Sequence, residues 1–226
     1  MKHLLDRPVW SALGTRHAAL AEGGSLAKRY LTSVAPFATT ENEDEECLQA
    51  LADLASPAES LLLIMSDQIV APAGFTTVTA ASAVQMVADQ PLEKVTDERI
   101  EQLCEADAAE MLALATLTKP GPFSLRALSL GDFWGVKVNG TLVAMAGERM
   151  KQPGYTELSG VCTHPDFRGE GLGRLLSLHV AGEIFARGEQ PYLHAYASNT
   201  IAIALYGSIG FRLRSSMNVA VIRRPT

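Results

Sequence analysis

The six residues 168–173, "RGEGLG", combine one arginine with three glycines where an apolar helical pattern begins. Glycine allows the backbone to turn sharply and lets a ligand approach its N–H groups. The first N–H groups of a helix lack internal partners and point along the positive end of the helix dipole, which suits a phosphate. Arg168 and Arg174 can add charge-assisted hydrogen bonds to phosphate oxygens. The alternative is a turn whose glycines are purely structural.

The glycine spacing excludes two other phosphate-binding motifs. A Walker loop requires Gly-x-x-x-x-Gly-Lys-Ser/Thr, and this loop contains no lysine. The dinucleotide fingerprint requires Gly-x-Gly-x-x-Gly after a first strand. Gly169, Gly171 and Gly173 instead alternate with other residues and lie late in the chain.

The elements around this loop are predicted from their patterns. Residues 155–165 form a strand, and residues 171–187 form a helix whose apolar residues recur every four positions. This buried stripe consists of Leu172, Leu176, Val180 and Ile184. Gly188 stands where a C-terminal cap belongs.

The rest of the second half is predicted to supply a sheet covered by helices. Residues 97–117 form a helix, and residues 132–150 form a hairpin that turns at Asn139-Gly140. Residues 191–198 form a strand, and Asn199 caps a helix over 200–209. Two closing strands follow, at 211–216 and 217–224. The fold class is therefore mixed α/β.

The first half is less regular. Residues 59–67, 74–80 and 83–89 are predicted to form two or three strands. The acidic run 41–46, "ENEDEE", is a solvated loop or the first turn of a helix. The pattern becomes polar near Pro91, so we place a soft boundary at residue 95, between a region 1–95 and a domain 96–226.

The composition is that of an ordinary globular protein. The chain has 226 residues, of which 47% are hydrophobic, and a formal net charge of −6, which argues against nucleic acid as a partner. No apolar run is long enough for a signal peptide or a membrane span. Cys47, Cys104 and Cys162 lack metal-ligand spacing, so we expect a cytoplasmic protein with free thiols and no metal.

The loop "RGEGLG" matches the Arg/Gln-x-x-Gly-x-Gly/Ala signature of the GNAT superfamily of N-acetyltransferases. The segment "VCTHPDFRGEGLG", followed by "NTIAIALYGSIGF", resembles the FR47-like branch of that superfamily. The resemblance covers about residues 100–226. It implies a central twisted mixed sheet with a splayed strand pair and helices on both faces. Residues 1–95 are either a degenerate lobe of the same type or a family-specific extension.

The resemblance also implies acetyl-coenzyme A as the cofactor. Backbone groups of the first splayed strand would pair with its pantetheine arm, the loop amides would hold its pyrophosphate, and the cap of the later helix would contact the arm. The implied cofactor-binding residues are Val161, Cys162, Thr163, Arg168, Gly169, Glu170, Gly171, Leu172, Gly173, Arg174 and Asn199.

Three residues are candidates for proton transfer during attack of an amine on the thioester. Tyr206 lies two helical turns after Asn199 and is the candidate acid, because a phenol stays protonated at neutral pH; the alternative is a core aromatic. The candidate bases are Glu157, ranked first, and His194. Two-residue alternation would place Glu157 on the same strand face as Val161 and Thr163. The alternatives are a surface carboxylate and a structural histidine.

The predicted activity is acetyl transfer to a primary amine by direct attack in a ternary complex. A non-catalytic acyl-coenzyme A sensor and a transferase for longer acyl groups remain alternatives. Cys162 is expected to be a core residue on the face opposite Glu157, and Glu148 an exposed residue at a strand end. The acceptor is a small-molecule or peptide amine, and the acidic balance leans towards a cation such as a polyamine, an aminoglycoside or a basic peptide. The oligomeric state is a monomer or a homodimer.

Overall fold

The computed structural model describes residues 3–92 and 95–225. The five α-helices of these ranges are α1 (Pro8–Leu13), α2 (Glu45–Leu54), α3 (Ala108–Thr118), α4 (Leu172–Ala186) and α5 (Thr200–Ser208). The strands are β1 (Ala21–Gly23), β2 (Ala27–Tyr30), β3 (Ala38–Thr40), β4 (Ser60–Met65), β5 (Thr76–Ala88), β6 (Ile100–Leu103), β7 (Phe133–Val138), β8 (Thr141–Gln152), β9 (Tyr155–Thr163), β10 (Gln190–Tyr196) and β11 (Phe211–Arg223). Within the described part of the chain, no helix is long and apolar enough to cross a membrane.

Eight strands form one sheet in the order β4-β11-β5-β10-β9-β8-β7-β6, and β1 to β3 form a small antiparallel sheet. In the large sheet, β9 and β10 are parallel to each other, whereas the other neighbouring strands are antiparallel. Strand β5, from the first half of the chain, lies between β10 and β11 from the second half. Strands from both sides of the soft boundary at residue 95 therefore belong to a single sheet.

Helices cover both faces of this sheet, which confirms the mixed α/β class. Neighbouring residues of β10 point to opposite faces: Tyr192 packs in the cluster that contains α1, and Leu193 packs in the cluster that contains α4 and α5. Helix α3 packs with Met145 of β8, on the face opposite α4. Strands β8 and β10 are thus covered on both faces.

Three predicted elements differ from the structure. The helix expected over 97–117 begins only at Ala108, because Ile100–Leu103 pairs with β7 as the edge strand β6. The strands expected at 74–80 and 83–89 are one strand, β5, and the two closing strands are also one, β11. Strand β11 is continuous although its pairing with β5 shifts by one residue near Leu213, because a β-bulge accommodates the extra residue.

Other local predictions are confirmed. Asn139 and Gly140 have φ angles of 52° and 79°, as a tight hairpin turn requires. Glu45 and Glu46 lie in the first turn of α2. Gly188 follows α4 with a φ of 75°. The predicted stripe of α4 is buried, with exposed fractions of at most 3% at Leu172, Leu176, Val180 and Ile184.

Candidate active site

The parallel strands β9 and β10 pair only at their beginnings. Their last pair is Glu157 with Tyr192, yet β9 continues to Thr163 and β10 to Tyr196. A bulge at Gly160, which has a φ of 65°, interrupts the pairing of β9 with β8 just beyond this point. A Cβ atom at Gly160 would lie 2.9 Å from the Phe133 ring, so only glycine fits there without displacement. We call the resulting gap the cleft.

The cleft contains a cavity of about 190 Å³. Its walls come from both strands, from α5 at one end, and from Phe37 together with strands β4, β8 and β11 at the other. The α5 end is lined by Asn199, Ala202 and Tyr206, and the opposite end by Phe37, Leu62, Ile64 and Arg149. The side chains at the two ends pack on opposite faces of the sheet: Ala202 and Tyr206 pack in the cluster of α4, and Phe37, Leu62 and Ile64 pack in the cluster of α1.

The loop predicted to bind phosphate lies beside this cleft, and residues 168–174 are called the junction below. Gly169 and Gly171 have φ angles of 86° and 77°, and a Cβ atom at either would meet nothing within 4 Å. Gly171 is the N-cap of α4, and no side chain caps this helix end. A Cβ atom at Gly173 would lie 3.7 Å from Thr163, at the end of β9. The junction therefore offers open space and helix-terminal N–H groups next to the cleft, and it fits a phosphate group.

The predicted alternation along β9 is wrong beyond Ser159. The bulge adds one residue at 160–161 opposite Ala146, so that Val161 packs with Leu158 in the cluster of α4. Cys162 instead packs with Met111 of α3. Glu157 therefore does not share a face with Val161 and Thr163, because the extra residue reverses the alternation.

Glu157 is completely buried and fully engaged. Arg149 donates from Nε at 2.8 Å and from Nη2 at 2.6 Å to its two carboxylate oxygens, and the Met150 N–H donates at 3.3 Å. His194 Nδ1 lies 2.7 Å from Oε1. Although burial alone would raise the pKa of Glu157, the charge and hydrogen bonds of Arg149 and His194 hold it well below its usual value. Glu157 is thus a weak proton acceptor and not a surface carboxylate.

His194 is held in one tautomer by Gln85, its direct partner across β10 and β5. Gln85 Oε1 accepts a 2.7 Å hydrogen bond from Arg214, which can only donate. The Gln85 amide nitrogen therefore faces His194 Nε2, at 2.9 Å, and donates to it. It follows that Nε2 is an acceptor and that Nδ1 carries the proton donated to Glu157. Arg149, Glu157, His194, Gln85 and Arg214 are called the polar network below.

Tyr206 lies at the α5 end of the cavity with an exposed fraction of 9%. Its ring packs edge-on against Phe211, with centroids 6.0 Å apart. Burial raises the pKa of Tyr206 to about 12, so the phenol is protonated throughout the neutral range. No hydrogen bond joins its hydroxyl group to another residue within 3–92 or 95–225, which leaves the hydroxyl available to a ligand.

Asn199 lines the same end of the cavity and caps α5, where its side chain accepts a 3.1 Å hydrogen bond from the Ala202 N–H. Cys162 is a buried core residue, as predicted, and burial raises its pKa to about 11. It packs towards α3, on the face that Arg149 and Glu157 also use, so its predicted opposition to Glu157 does not hold. Arg168, Glu170 and Arg174 are exposed.

Glu148 is not the exposed residue that the sequence suggested. It is completely buried, forms ion pairs with Lys151 and Arg187, and lines a second small cavity together with Arg149. Arg149 and Gln85 were missed as site residues. The available signal was a polar side chain within an otherwise apolar strand, as in "AVQMVA" for Gln85.

Comparisons with known proteins agree with this fold. The model of the FR47-like protein family matches residues 135–220. A crystal structure of an acetyltransferase assigned to the GNAT family, from Novosphingobium aromaticivorans, is 39% identical and superposes with a TM-score of 0.94, covering 100% of both chains. A GCN5-related N-acetyltransferase from Kribbella flavida is 15% identical with a TM-score of 0.63, covers 96% of both chains and supports the fold alone.

A curated relative, the [ribosomal protein bS18]-alanine N-acetyltransferase of Escherichia coli K12, is 39% identical over 87 residues. That match covers 38% of this chain and 54% of the relative. The corresponding Salmonella typhimurium protein is 44% identical over 68 residues, which are 30% of this chain and 42% of that protein. The chain thus spans about half the length of the curated relatives it matches.

Proposed function

The chain belongs to the GNAT family of acetyltransferases, and from this premise we propose that it transfers an acetyl group from acetyl-coenzyme A to a primary amine. The observation that carries the proposal is the cleft with the junction beside it. Beyond Glu157, the edge of β9 that faces β10 has no strand partner among the described residues. Its main-chain groups are therefore available to a ligand at the place where the phosphate-binding junction begins.

Acetyl-coenzyme A supplies the thioester, and the chain supplies its binding and orientation. The main chain of Gly169 to Arg174 would hold the pyrophosphate, because open space and helix-terminal N–H groups coincide there. The main chain of Val161 to Thr163 would hold the pantetheine arm. Asn199, at the cavity wall, would contact the same arm. Together these contacts would direct the acetyl group into the cavity.

Tyr206 is proposed as the acid that protonates, or hydrogen-bonds, the departing thiolate. Tyr206 lines the cavity, and burial raises its pKa to about 12, so the phenol keeps its proton and can donate a hydrogen bond that stabilises the thiolate as it leaves. This arrangement favours a catalytic enzyme over a non-catalytic binding module, which would not need a protonated phenol at this position.

The proton acceptor is proposed to be His194, in preference to Glu157. His194 lines the cavity, whereas both oxygens of Glu157 are engaged by Arg149 and His194. A proton can reach His194 at Nε2 when the incoming amine displaces the Gln85 hydrogen bond. Glu157 would then act as a positioning residue, because its carboxylate stabilises the imidazolium through Nδ1.

The site of action is proposed to be the cytoplasm, since none of the three cysteines forms a disulfide. A peptide amine belongs among the acceptors to be tested because curated relatives are named for acetylating an alanine of ribosomal protein bS18. Small amines form the second group.

The test measures release of coenzyme A from acetyl-coenzyme A in the presence of small amines and peptides. We expect turnover with at least one acceptor and a decrease in kcat of about 10²–10⁴-fold in Tyr206→Phe, the usual contribution of a positioned acid. Tyr155→Phe, outside the cavity lining, is the matched control and should retain its rate. Tight binding of acetyl-coenzyme A without turnover would support the sensor, and turnover with only succinyl- or malonyl-coenzyme A would support a longer acyl group.

A further inference from the structure

The end of the cavity opposite Tyr206 combines apolar walls with one cationic side chain. Its walls are apolar, and they come from Phe37, Leu62, Ile64 and Val219. A single guanidinium group, that of Arg149, enters this apolar surface, and the Arg149 side chain is only 13% exposed. A buried cation beside apolar walls is costly unless it has anionic or polar partners.

Glu157 uses only part of this guanidinium group. Of its five N–H donors, Nε and one hydrogen of Nη2 bond Glu157. The group stacks over the Phe37 ring, with Cζ 4.9 Å from the ring centroid. Nη1 makes no hydrogen bond to any residue in the described ranges and would lie 3.9 Å from a Cβ atom at Gly121, in the loop that borders the cavity. The edge formed by Nη1 and Nη2 is therefore available to an oxygen atom.

The charges around the cavity disfavour a polycation. Its described lining contains Arg149 and the exposed Lys119 but no carboxylate, although the whole chain carries a net charge of −6. Glu157 balances Arg149, and a second ammonium group of a polyamine would find no anion along this wall. The net charge of the chain was thus a poor guide to this cavity.

We propose that Arg149 anchors the acceptor by binding a carbonyl or carboxylate oxygen adjacent to the reacting amine. The acceptor is then an α-amino compound with an apolar side chain, either a free amino acid or the first residue of a peptide. The apolar wall receives the side chain, and Arg149 sets the direction of the amine. This inference rests on the proposed acetyl transfer and specifies its acceptor.

The first test compares acceptors that carry the side chain of leucine with a straight-chain diamine. The full-length chain and acetyl-coenzyme A are assayed with leucinamide, leucine, a leucine-initiated tripeptide, 3-methylbutylamine and 1,4-diaminobutane. Values of kcat/KM are expressed per neutral amine, because α-amino groups and alkylamines differ in pKa. We expect the carbonyl-bearing acceptors to exceed 3-methylbutylamine by at least about tenfold, as expected for a hydrogen bond to a charged group. Leucine and the tripeptide distinguish a free amino acid from a peptide terminus.

The second test uses Arg149→Lys, which keeps a positive charge for Glu157 but removes the Nη1 and Nη2 edge. The preference for leucinamide over 3-methylbutylamine should decrease by about tenfold or more. Arg99→Lys, at an exposed arginine outside the cavity, should leave this preference unchanged. If Arg149→Lys does not fold, a crystal structure of the wild-type chain with coenzyme A and leucinamide replaces it, and we expect the carbonyl oxygen within hydrogen-bonding distance of Arg149 Nη1.

The outcomes are separable from those of the proposed function. Equal kcat/KM with and without the carbonyl group, a preference for the diamine, or an unchanged preference in folded Arg149→Lys would overturn the anchor and leave acetyl transfer intact. A carbonyl group bound away from Arg149 would do the same. If none of these amines is acetylated although another amine is, the anchor fails alone; if no amine is acetylated, the proposed function fails.

Discussion

The junction at the start of α4 is largely exposed. Glu157 lies on β9, the strand that leads to the junction, six residues before the strand ends. In contrast to the junction, Glu157 is completely buried among charged and polar partners. The junction works through main-chain N–H groups and open space. The polar network works through side chains that hydrogen-bond one another, and Nη1 of Arg149 is the part of that guanidinium group left without a partner among the described residues. The junction therefore offers main-chain donors in open space, whereas the polar network offers side-chain groups that are held in fixed positions.

Because of this difference, removal of a carboxylate should lower the free energy of unfolding by unequal amounts in the two regions. The largest decrease is expected for Glu157→Ala. It leaves the buried Arg149 without its partner and should lower the free energy of unfolding by about 3–5 kcal/mol. Glu170→Ala, at the exposed junction, should change it by less than about 0.5 kcal/mol. Urea unfolding of both variants measures the two values, and similar losses would remove the distinction between the two regions.

The second expected effect is a loss of folding stability at acidic pH that arises from the buried residue His17. His17 is 5% exposed, its Nδ1 lies 2.8 Å from the Tyr30 hydroxyl, and burial, reinforced by the charge of Lys151, lowers the pKa of His17 to about 4. The unfolded chain, with a histidine pKa of about 6.5, binds this proton first. The free energy of unfolding should therefore decrease by roughly 3 kcal/mol as the pH falls from about 6.5 to about 4.

Urea unfolding between pH 7 and pH 4.5 measures this slope. In His17→Gln the His17 contribution should disappear, whereas His164→Gln, at a partly exposed histidine, should retain it. The lowered pKa of Glu157 contributes separately, because its stabilisation is present above the unfolded carboxyl pKa of about 4.3 and is lost only below it. An unchanged slope in His17→Gln would show that His17 is not the group that titrates.

The smallest expected effect is on the binding of coenzyme A at the exposed junction. Gly171→Asp should weaken coenzyme A binding about tenfold more than Gly171→Asn, because the two side chains differ mainly in charge and only the carboxylate repels the pyrophosphate. Both variants place a side chain at a φ of 77°, so they share the backbone strain. Calorimetric titration gives both dissociation constants. Equal affinities would count against a phosphate at this helix terminus.

The two regions also differ in how far the sequence revealed them. The junction was predictable because its glycines, the preceding strand and the apolar stripe of α4 are adjacent in the chain and act locally. Asn199 and the Asn139-Gly140 turn were predictable for the same reason. Each depends on a backbone conformation that only a few residue types favour.

Glu157 and His194 were named from the sequence, but their contacts in the polar network could not be predicted because bulges assemble it from distant strands. Glu157 lies opposite both Arg149 and Met150, where the register of β8 and β9 shifts. Arg214 is the additional residue where β11 shifts against Gln85. Only the bulge in β9 coincides with a glycine, Gly160, and the other two leave no comparable mark in the sequence. Alternation rules fail at such positions, and this is why the predicted faces of β9 were wrong beyond Ser159.

The most direct test of this account is a crystal structure of the chain with coenzyme A. We predict the pyrophosphate within hydrogen-bonding distance of main-chain N–H groups between Gly169 and Arg174, the pantetheine arm along Val161 to Thr163, and the sulfur near the Tyr206 hydroxyl. Coenzyme A bound at another surface, with β9 and β10 closed on each other, would contradict the account.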